Sequence, residues 1–170
     1  KTAIESVGHR SINNVVDLTN YVTLKNGQPL HAFDAGKIQK KDGKLLIQIR
    51  ESNGGEEITV LSGETYKLPQ GTLVISDGVS GVALDIAGVK GGMASSIDEK
   101  SSDLFVSVAN FDGSSIRRTA QALKLWTDAS LRFQNRPSPE LTAYGMRDIL
   151  TLLAEVTGGE LVGVVDVYPH

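Results

Sequence analysis

The central part of the chain, residues 45–109, contains a series of short segments with β-type patterning, and this feature most restricts the possible folds. The segments are LLIQIR (45–50), EITVL (57–61), TYKL (65–68), LVISD (73–77), VALDIA (82–87) and DLFVSVA (103–109). Turn-forming residues separate them, and a Ser-Gly turn between the second and third predicts a β-hairpin. A run of strands without intervening helices excludes the regular alternation of a doubly wound α/β fold.

Helical patterns lie on both sides of this series. Ser11 is predicted to cap a helix over residues 12–25, because apolar residues recur there at helical spacing. Asn26 and Gly27 tolerate left-handed backbone angles and should end that helix. A second helix is predicted from Ser114 to about Leu123.

The last third of the chain predicts one more helix and one more strand. The segment PSPE (137–140) should begin the helix, with Ser138 as its cap and Pro139 in the first turn. Gly158 and Gly159 should end it, and LVGVVDVY (161–168) is then predicted to form a strand. The predicted fold class is α+β, with a mixed, barrel-like β-sheet core and flanking helices.

The length and composition of the chain narrow its class. With 170 residues, one domain over residues 1–170 is expected, and the absence of an initial Met suggests an excised piece of a longer chain. No cysteine is present, which excludes disulfides, thiolate zinc sites and a cysteine nucleophile. A net charge of -3 argues against broad binding to a duplex, although contact with one RNA end remains open.

Common catalytic motifs are absent: the chain has no G-x-S-x-G, P-loop or G-x-G-x-x-G sequence. The segment GQPLHAFD (27–34) is instead a candidate for a functional role, because it holds one of only three histidines. Pro29 favours an extended path at Gln28. From the residues alone, His31 could be a buried structural histidine, half of an acid–base pair or a substrate contact.

Other polar segments can also be explained by local structure alone. GVKGG (88–92) is either a tight turn or a place where backbone approaches a ligand. TDASLRF (127–133) has the pattern of a helix cap, and Thr19 with Asn20 could bond to their own backbone. These residues by themselves indicate an α+β domain with one possible polar cleft.

Taken in order, several segments carry a resemblance to a known family. They are NNVVDLTNYV (13–22), GQPLHAFD (27–34), AGVKGG (87–92), FD (111–112), IRRTA (116–120) and TDASLRF (127–133). The series resembles the editing domain of the bacterial phenylalanyl-tRNA synthetase β subunit, from about His9 to the last predicted strand. The resemblance implies the fold of that domain, inside a longer subunit.

The resemblance also implies a function. In that family the domain hydrolyses the ester of tyrosine wrongly attached to phenylalanine tRNA, which is needed because an apolar pocket rejects an added hydroxyl poorly. It implies a cytoplasmic ligase, with the α subunit, the other β-subunit domains and the aminoacylated 3′ end of the tRNA as partners. No metal, cofactor or membrane is implied, and aminoacylation belongs to the α subunit.

Eight site residues are carried over from the matching motifs. His31, Thr127, Thr19 and Asn20 are implied as catalytic, with His31 expected to position the substrate rather than act as a general base. The implied substrate-binding residues are Arg10, Gly91, Ser107 and Ala129.

One of these positions departs from the family pattern. Typical members carry a glutamate that reads the tyrosine hydroxyl where this chain has Ser107, and a serine hydroxyl makes a weaker, uncharged hydrogen bond. Two functions therefore stand: an editing hydrolase, or a module that keeps the fold as a scaffold or RNA-end binder without hydrolysis.

Overall fold

The structure is a computed structural model that describes residues 2–168, and it confirms the α+β class. Its helices are α1 (Thr2–Glu5), α2 (Asn14–Asn26), α3 (Gly113–Leu123), α4 (Asp128–Gln134) and α5 (Leu141–Thr157). Its strands are β1 (Leu30–Asp34), β2 (Lys40–Lys41), β3 (Lys44–Leu45), β4 (Ile47–Glu51), β5 (Glu57–Thr59), β6 (Thr65–Lys67), β7 (Leu73–Asp77), β8 (Ala83–Ile86), β9 (Lys90–Gly91) and β10 (Leu104–Val108). None of the described helices is long and apolar enough to cross a membrane.

Helix α2 begins later than the sequence predicted, and the prediction that Ser11 caps it is wrong. Asn13 is the cap, and its side chain accepts a hydrogen bond of 2.9 Å from the Val16 amide. The Ser11 hydroxyl donates instead to the carboxylate of Asp17. The predicted end is confirmed, since Gly27 follows the helix with a φ of 83°.

The two later predicted helices are confirmed. Asp112 caps α3 by accepting from the Ser115 amide at 2.8 Å. Ser138 is not the cap of α5, because the chain is already helical at Glu140 and the Ser138 hydroxyl lies outside the first turn. Gly158 ends α5 in the left-handed conformation, as predicted.

The described strands form four antiparallel sheets, and the predicted mixed, barrel-like arrangement is not confirmed. The largest has the order β4-β7-β8-β9, and the three others are the pairs β1-β10, β2-β3 and β5-β6. Every pairing between described strands is antiparallel, and no closed barrel forms.

The β1–β10 pair is a ribbon with two covered faces. Leu30, Val106 and Val108 pack on Val22 of α2 and Ile149 of α5. The other face carries the alternate positions, where Phe33 lies opposite Phe105 and His31 lies opposite Ser107.

That second face meets the four-stranded sheet. Phe33 is fully buried in a cluster with Ile75 of β7 and Leu84 of β8, and its ring lies 5.4 Å from that of Phe105. Because successive side chains alternate between faces, His31 is directed to the same junction as Phe33.

The predicted last strand over 161–168 is wrong. The described residues of this segment form no strand and are exposed. Its alternating valines match a strand pattern, but no neighbouring strand pairs with it. Without a partner the ladder hydrogen bonds that define a strand cannot form.

Candidate functional site

A cavity lies between the β1–β10 ribbon, the four-stranded sheet and α4. Its volume is about 90 Å³ and it opens to solvent, so it is smaller than the roughly 300–1,000 Å³ that is usual for sites of drug-sized ligands. Its apolar wall includes Ile75, Val89, Phe111, Ala129 and Phe133. Its polar residues are His31, Asp85, Lys90 and Ser107. Such a wall suits a ligand with an apolar body and a few polar groups.

His31 stands on β1 with its ring inside this cavity. The edge of the ring meets Phe33, with centroids 4.5 Å apart and planes at 85°. Its Nε2 atom is out of contact with solvent and has no hydrogen-bond partner in the described structure. Burial lowers the pKa of His31 from 6.5 to about 4, so the imidazole is neutral at neutral pH. A neutral ring offers one donor and one acceptor.

Gly91 on β9 lets the backbone approach that ring. A Cβ atom at this position would lie 2.6 Å from Cε1 and 2.9 Å from Nε2 of His31. Any side chain would therefore push the imidazole out of place. Of the two interpretations of the glycine-rich loop, the tight turn is confirmed, since Gly88 has a φ of 69° between β8 and β9 and the Val89 amide donates to the Ile86 carbonyl, whereas approach of the backbone to a ligand stays a prediction.

Ser107 and Ala129 complete the part of the cavity around His31. Ser107 lies directly across the ribbon from His31, so the two side chains project to the same side. Ala129 is in the first turn of α4, and its methyl group is part of the apolar wall. Of the eight residues expected from the sequence, the cavity wall contains His31, Gly91, Ser107 and Ala129.

Comparison with known proteins shows which family the chain belongs to. A family model described as the B3/4 domain matches residues 1–158. The chain belongs to the B3/4 domain family. The predicted resemblance to bacterial phenylalanyl-tRNA synthetase β subunits is also confirmed, since the curated relatives carry the name phenylalanine–tRNA ligase β subunit.

Three of these relatives show how much of each protein is shared. The one from Geobacter metallireducens is 42% identical over 98% of this chain, and the one from Porphyromonas gingivalis is 40% identical over 100% of it. The one from Aliivibrio fischeri is 42% identical over 94% of this chain. The chain spans about a fifth of the length of these relatives, 20%, 20% and 19% respectively.

Thr127 of this B3/4 domain lies behind the cavity wall. As the cap of α4 it accepts from the Ser130 amide at 3.1 Å, while the Ser130 hydroxyl accepts from the Thr127 amide at 2.9 Å. The Thr127 hydroxyl also donates to the carbonyl of Val89 at 2.6 Å. The predicted capping turn is thus confirmed, and it ties α4 to the glycine-rich loop.

The other three expected residues do not line the cavity. Arg10 is exposed in the segment between α1 and α2. Thr19 is buried within α2 and donates its hydroxyl to the Val16 carbonyl at 2.8 Å. Asn20 is half-buried on the same helix. For Thr19 this is the backbone bond considered from the sequence.

Asp85 is the residue of the cavity that sequence reasoning missed. It is only 5% exposed, its Oδ1 has no hydrogen-bond partner in the described structure, and burial raises its pKa from 3.8 to about 7. The signal was a carboxylate inside the apolar run VALDIA, because an acidic residue is almost never fully buried without a partner. Within residues 2–168 no group of three or more His, Cys, Asp or Glu could hold a metal ion.

Proposed function

We propose that this B3/4 domain is the editing domain of a phenylalanine–tRNA ligase β subunit and hydrolyses tyrosine mischarged onto phenylalanine tRNA. The observation that carries the proposal is the single cavity that brings together His31, Gly91, Ser107 and Ala129. An aromatic aminoacyl group has the apolar body and polar ends that such a wall accommodates.

The proposed complex is larger than this chain. The relatives are β subunits of a ligase, so we propose that the domain acts beside an α subunit and the other β-subunit domains, in the cytoplasm. The substrate would be the aminoacylated 3′ end of the tRNA. With a net charge of -3, the domain would contact that end locally rather than coat the duplex.

Hydrolysis here would depend on positioning rather than on a strong base. An aminoacyl ester is activated enough that holding a water molecule over the face of its carbonyl carbon supplies much of the catalysis. With a pKa of about 4, His31 would be a poor proton acceptor at neutral pH, but its neutral ring can hold the ester or the water. We propose that no cofactor takes part.

Gly91→Ala tests this site in the complete ligase. The added methyl group would displace the His31 ring, and we expect tyrosyl-tRNA hydrolysis to fall at least tenfold. The measurement is release of labelled tyrosine from purified tyrosyl-tRNA, with aminoacylation by phenylalanine as a check that the enzyme is intact.

Gly54→Ala is the matched control. A Cβ there would meet Gln70 at an ordinary 3.6 Å, and the position has no left-handed backbone strain. It should therefore hydrolyse the ester at the rate of the unmodified ligase. If the unmodified ligase hydrolyses neither tyrosyl- nor phenylalanyl-tRNA above the spontaneous rate, the editing proposal fails and the scaffold alternative takes its place.

A further inference from the structure

Asp85 is a buried carboxyl group inside the cavity that none of the roles above uses. Among the residues that the structure describes on the cavity wall, it is the only acid. An unpaired polar atom at 5% exposure is costly to the fold, because desolvation is not repaid by a hydrogen bond. Such a group in a native fold calls for a physical explanation, and a catalytic or binding role is one of the few available.

The strand geometry aims Asp85 at the site. Asp85 pairs with Ile75 on one side and with Gly91 on the other, so the three positions project to one face. Gly91 has no side chain, and the place of its absent Cβ is filled by the His31 ring. Asp85, His31 and Ser107 are therefore consecutive polar positions across two sheets.

A bulge in β8 supports this orientation. The register of β7 with β8 shifts next to the Asp85 pair, between Ile75 and Ser76, so that Leu84 is the extra residue. Bulges redirect side chains and are frequent beside active sites. All of β8 is buried, so the bulge serves the interior rather than a solvent-exposed edge.

The immediate surroundings of Asp85 determine what it can bind. Its neighbours on the same face are the apolar Ile75 and the side-chain-free Gly91. A hydrated ammonium group would lose water there and gain too few acceptors. A phenol fits better, since its ring is apolar and a single hydroxyl forms the tip. That hydroxyl can donate to a carboxylate or accept from a protonated carboxyl group.

We propose that Asp85 recognises the side-chain hydroxyl of the aminoacyl group and so selects tyrosyl over phenylalanyl ester. The proposal rests on the editing function, and assigns hydroxyl recognition to β8 rather than to Ser107 on β10. A phenylalanyl group would leave the buried carboxyl group unpaired, and sites of this kind strongly reject an analogue that lacks the hydroxyl. Ser107 would then serve the part of the substrate near His31.

Lys90 and His31 are the other titratable residues on the cavity wall. Lys90 pairs with Ile86, the neighbour of Asp85, and therefore projects to the opposite side of the sheet from Asp85. His31 is neutral at neutral pH. Among the described residues of the cavity wall, no charged side chain other than Asp85 itself therefore lies on its face of the sheet to compete with hydroxyl recognition.

Binding measurements separate recognition from hydrolysis. The probes are 3′-tyrosylamino- and 3′-phenylalanylamino-3′-deoxyadenosine, whose amide bonds resist the hydrolysis that cleaves the ester. Both are titrated calorimetrically into the complete ligase, with the aminoacylation site saturated by an unreactive phenylalanyl-adenylate analogue. We expect the unmodified protein to bind the tyrosyl probe at least tenfold more tightly, and Asp85→Ala to reduce the ratio to near one.

Two further variants test whether the tyrosyl preference depends on the hydrogen-bonding group of Asp85. Asp85→Asn keeps the shape and a hydrogen-bonding group, so it should retain part of the preference. Asp103→Ala removes an exposed carboxylate next to β10 and outside the cavity, and should retain all of it. Circular dichroism confirms that each variant is folded.

The outcomes distinguish this proposal from the editing proposal. Lack of a tyrosyl preference in the unmodified protein, an unchanged ratio in Asp85→Ala, or equal weakening of both probes would overturn the role of Asp85. Equal weakening would show contact with a group that both probes share. A tyrosyl preference that depends on Asp85, in a ligase that hydrolyses neither ester, would support Asp85 and overturn hydrolysis.

Discussion

At the scale of single residues, the shifted pKa values of Asp85 and His31 should make stability depend on pH in opposite directions. The raised pKa of Asp85 means that the folded state holds the proton of this carboxyl group up to about pH 7. The stabilisation of the folded state that results is complete below pH 3.8 and is lost as pH rises through 7. The lowered pKa of His31 has the reverse effect, because stability is lost as pH falls from 6.5 towards 4.

Asp85→Asn should therefore remove the loss on the alkaline side. In the unmodified chain we expect the Asp85 carboxyl group to lower the free energy of unfolding by about 1.4 kcal/mol between pH 6 and 8. The Asn variant should show no such decrease, while keeping the acid-side loss that His31 causes. Urea unfolding at several pH values measures both, and parallel curves for the two proteins would contradict the shifted pKa.

At the scale of elements, the cap of α4 connects stability to the site. Thr127→Ala removes the bond from the Ser130 amide and the bond to the Val89 carbonyl, and should cost about 1–2 kcal/mol of unfolding free energy. It should also reduce ester hydrolysis severalfold, because Val89 precedes β9 and forms part of the cavity wall. Chemical denaturation and the tyrosyl-tRNA assay give the two readouts.

Asp112→Ala is the comparison at this scale. Asp112 caps α3 through the Ser115 amide, and it does not line the cavity. Its loss should cost a similar amount, about 1 kcal/mol, while leaving hydrolysis unchanged. Equal loss of hydrolysis in both variants would show that Thr127 matters only for general stability.

At the scale of the whole molecule, Phe33 joins the ribbon to the four-stranded sheet beneath the cavity. It is fully buried, and its ring meets the His31 ring on the same strand. Phe33→Ala should lower the free energy of unfolding by about 3–5 kcal/mol, since it leaves a void in a close-packed interface. Ile49→Ala, at a position that is 55% exposed on β4, should change it by less than about 0.5 kcal/mol. A small effect of Phe33→Ala in urea unfolding would mean that the two sheets close over the void.

Much of the local structure followed from the sequence, because it depends on near neighbours. The end of α2 at Gly27 needs only a residue that tolerates a positive φ, and the Thr127 cap needs only an oxygen three residues before a free amide. The same reasoning placed Ser11 and Ser138 wrongly as caps. In each case another residue is the cap. The Asn13 side chain accepts from the Val16 amide at the start of α2, and Glu140 holds the cap position before α5.

The sequence by itself determined the α+β class, the main helices, the central strands and the family, since these follow from periodicity, turn residues and ordered motifs. Only the tertiary structure decided which polar residues share a cavity. It brought Ser107 to His31 across 76 residues of chain through strand pairing, placed Gly91 against the His31 ring, and left Arg10, Thr19 and Asn20 outside the wall. It also revealed Asp85, because burial without a partner is a property of the packed sheets and not of the strand that carries the residue.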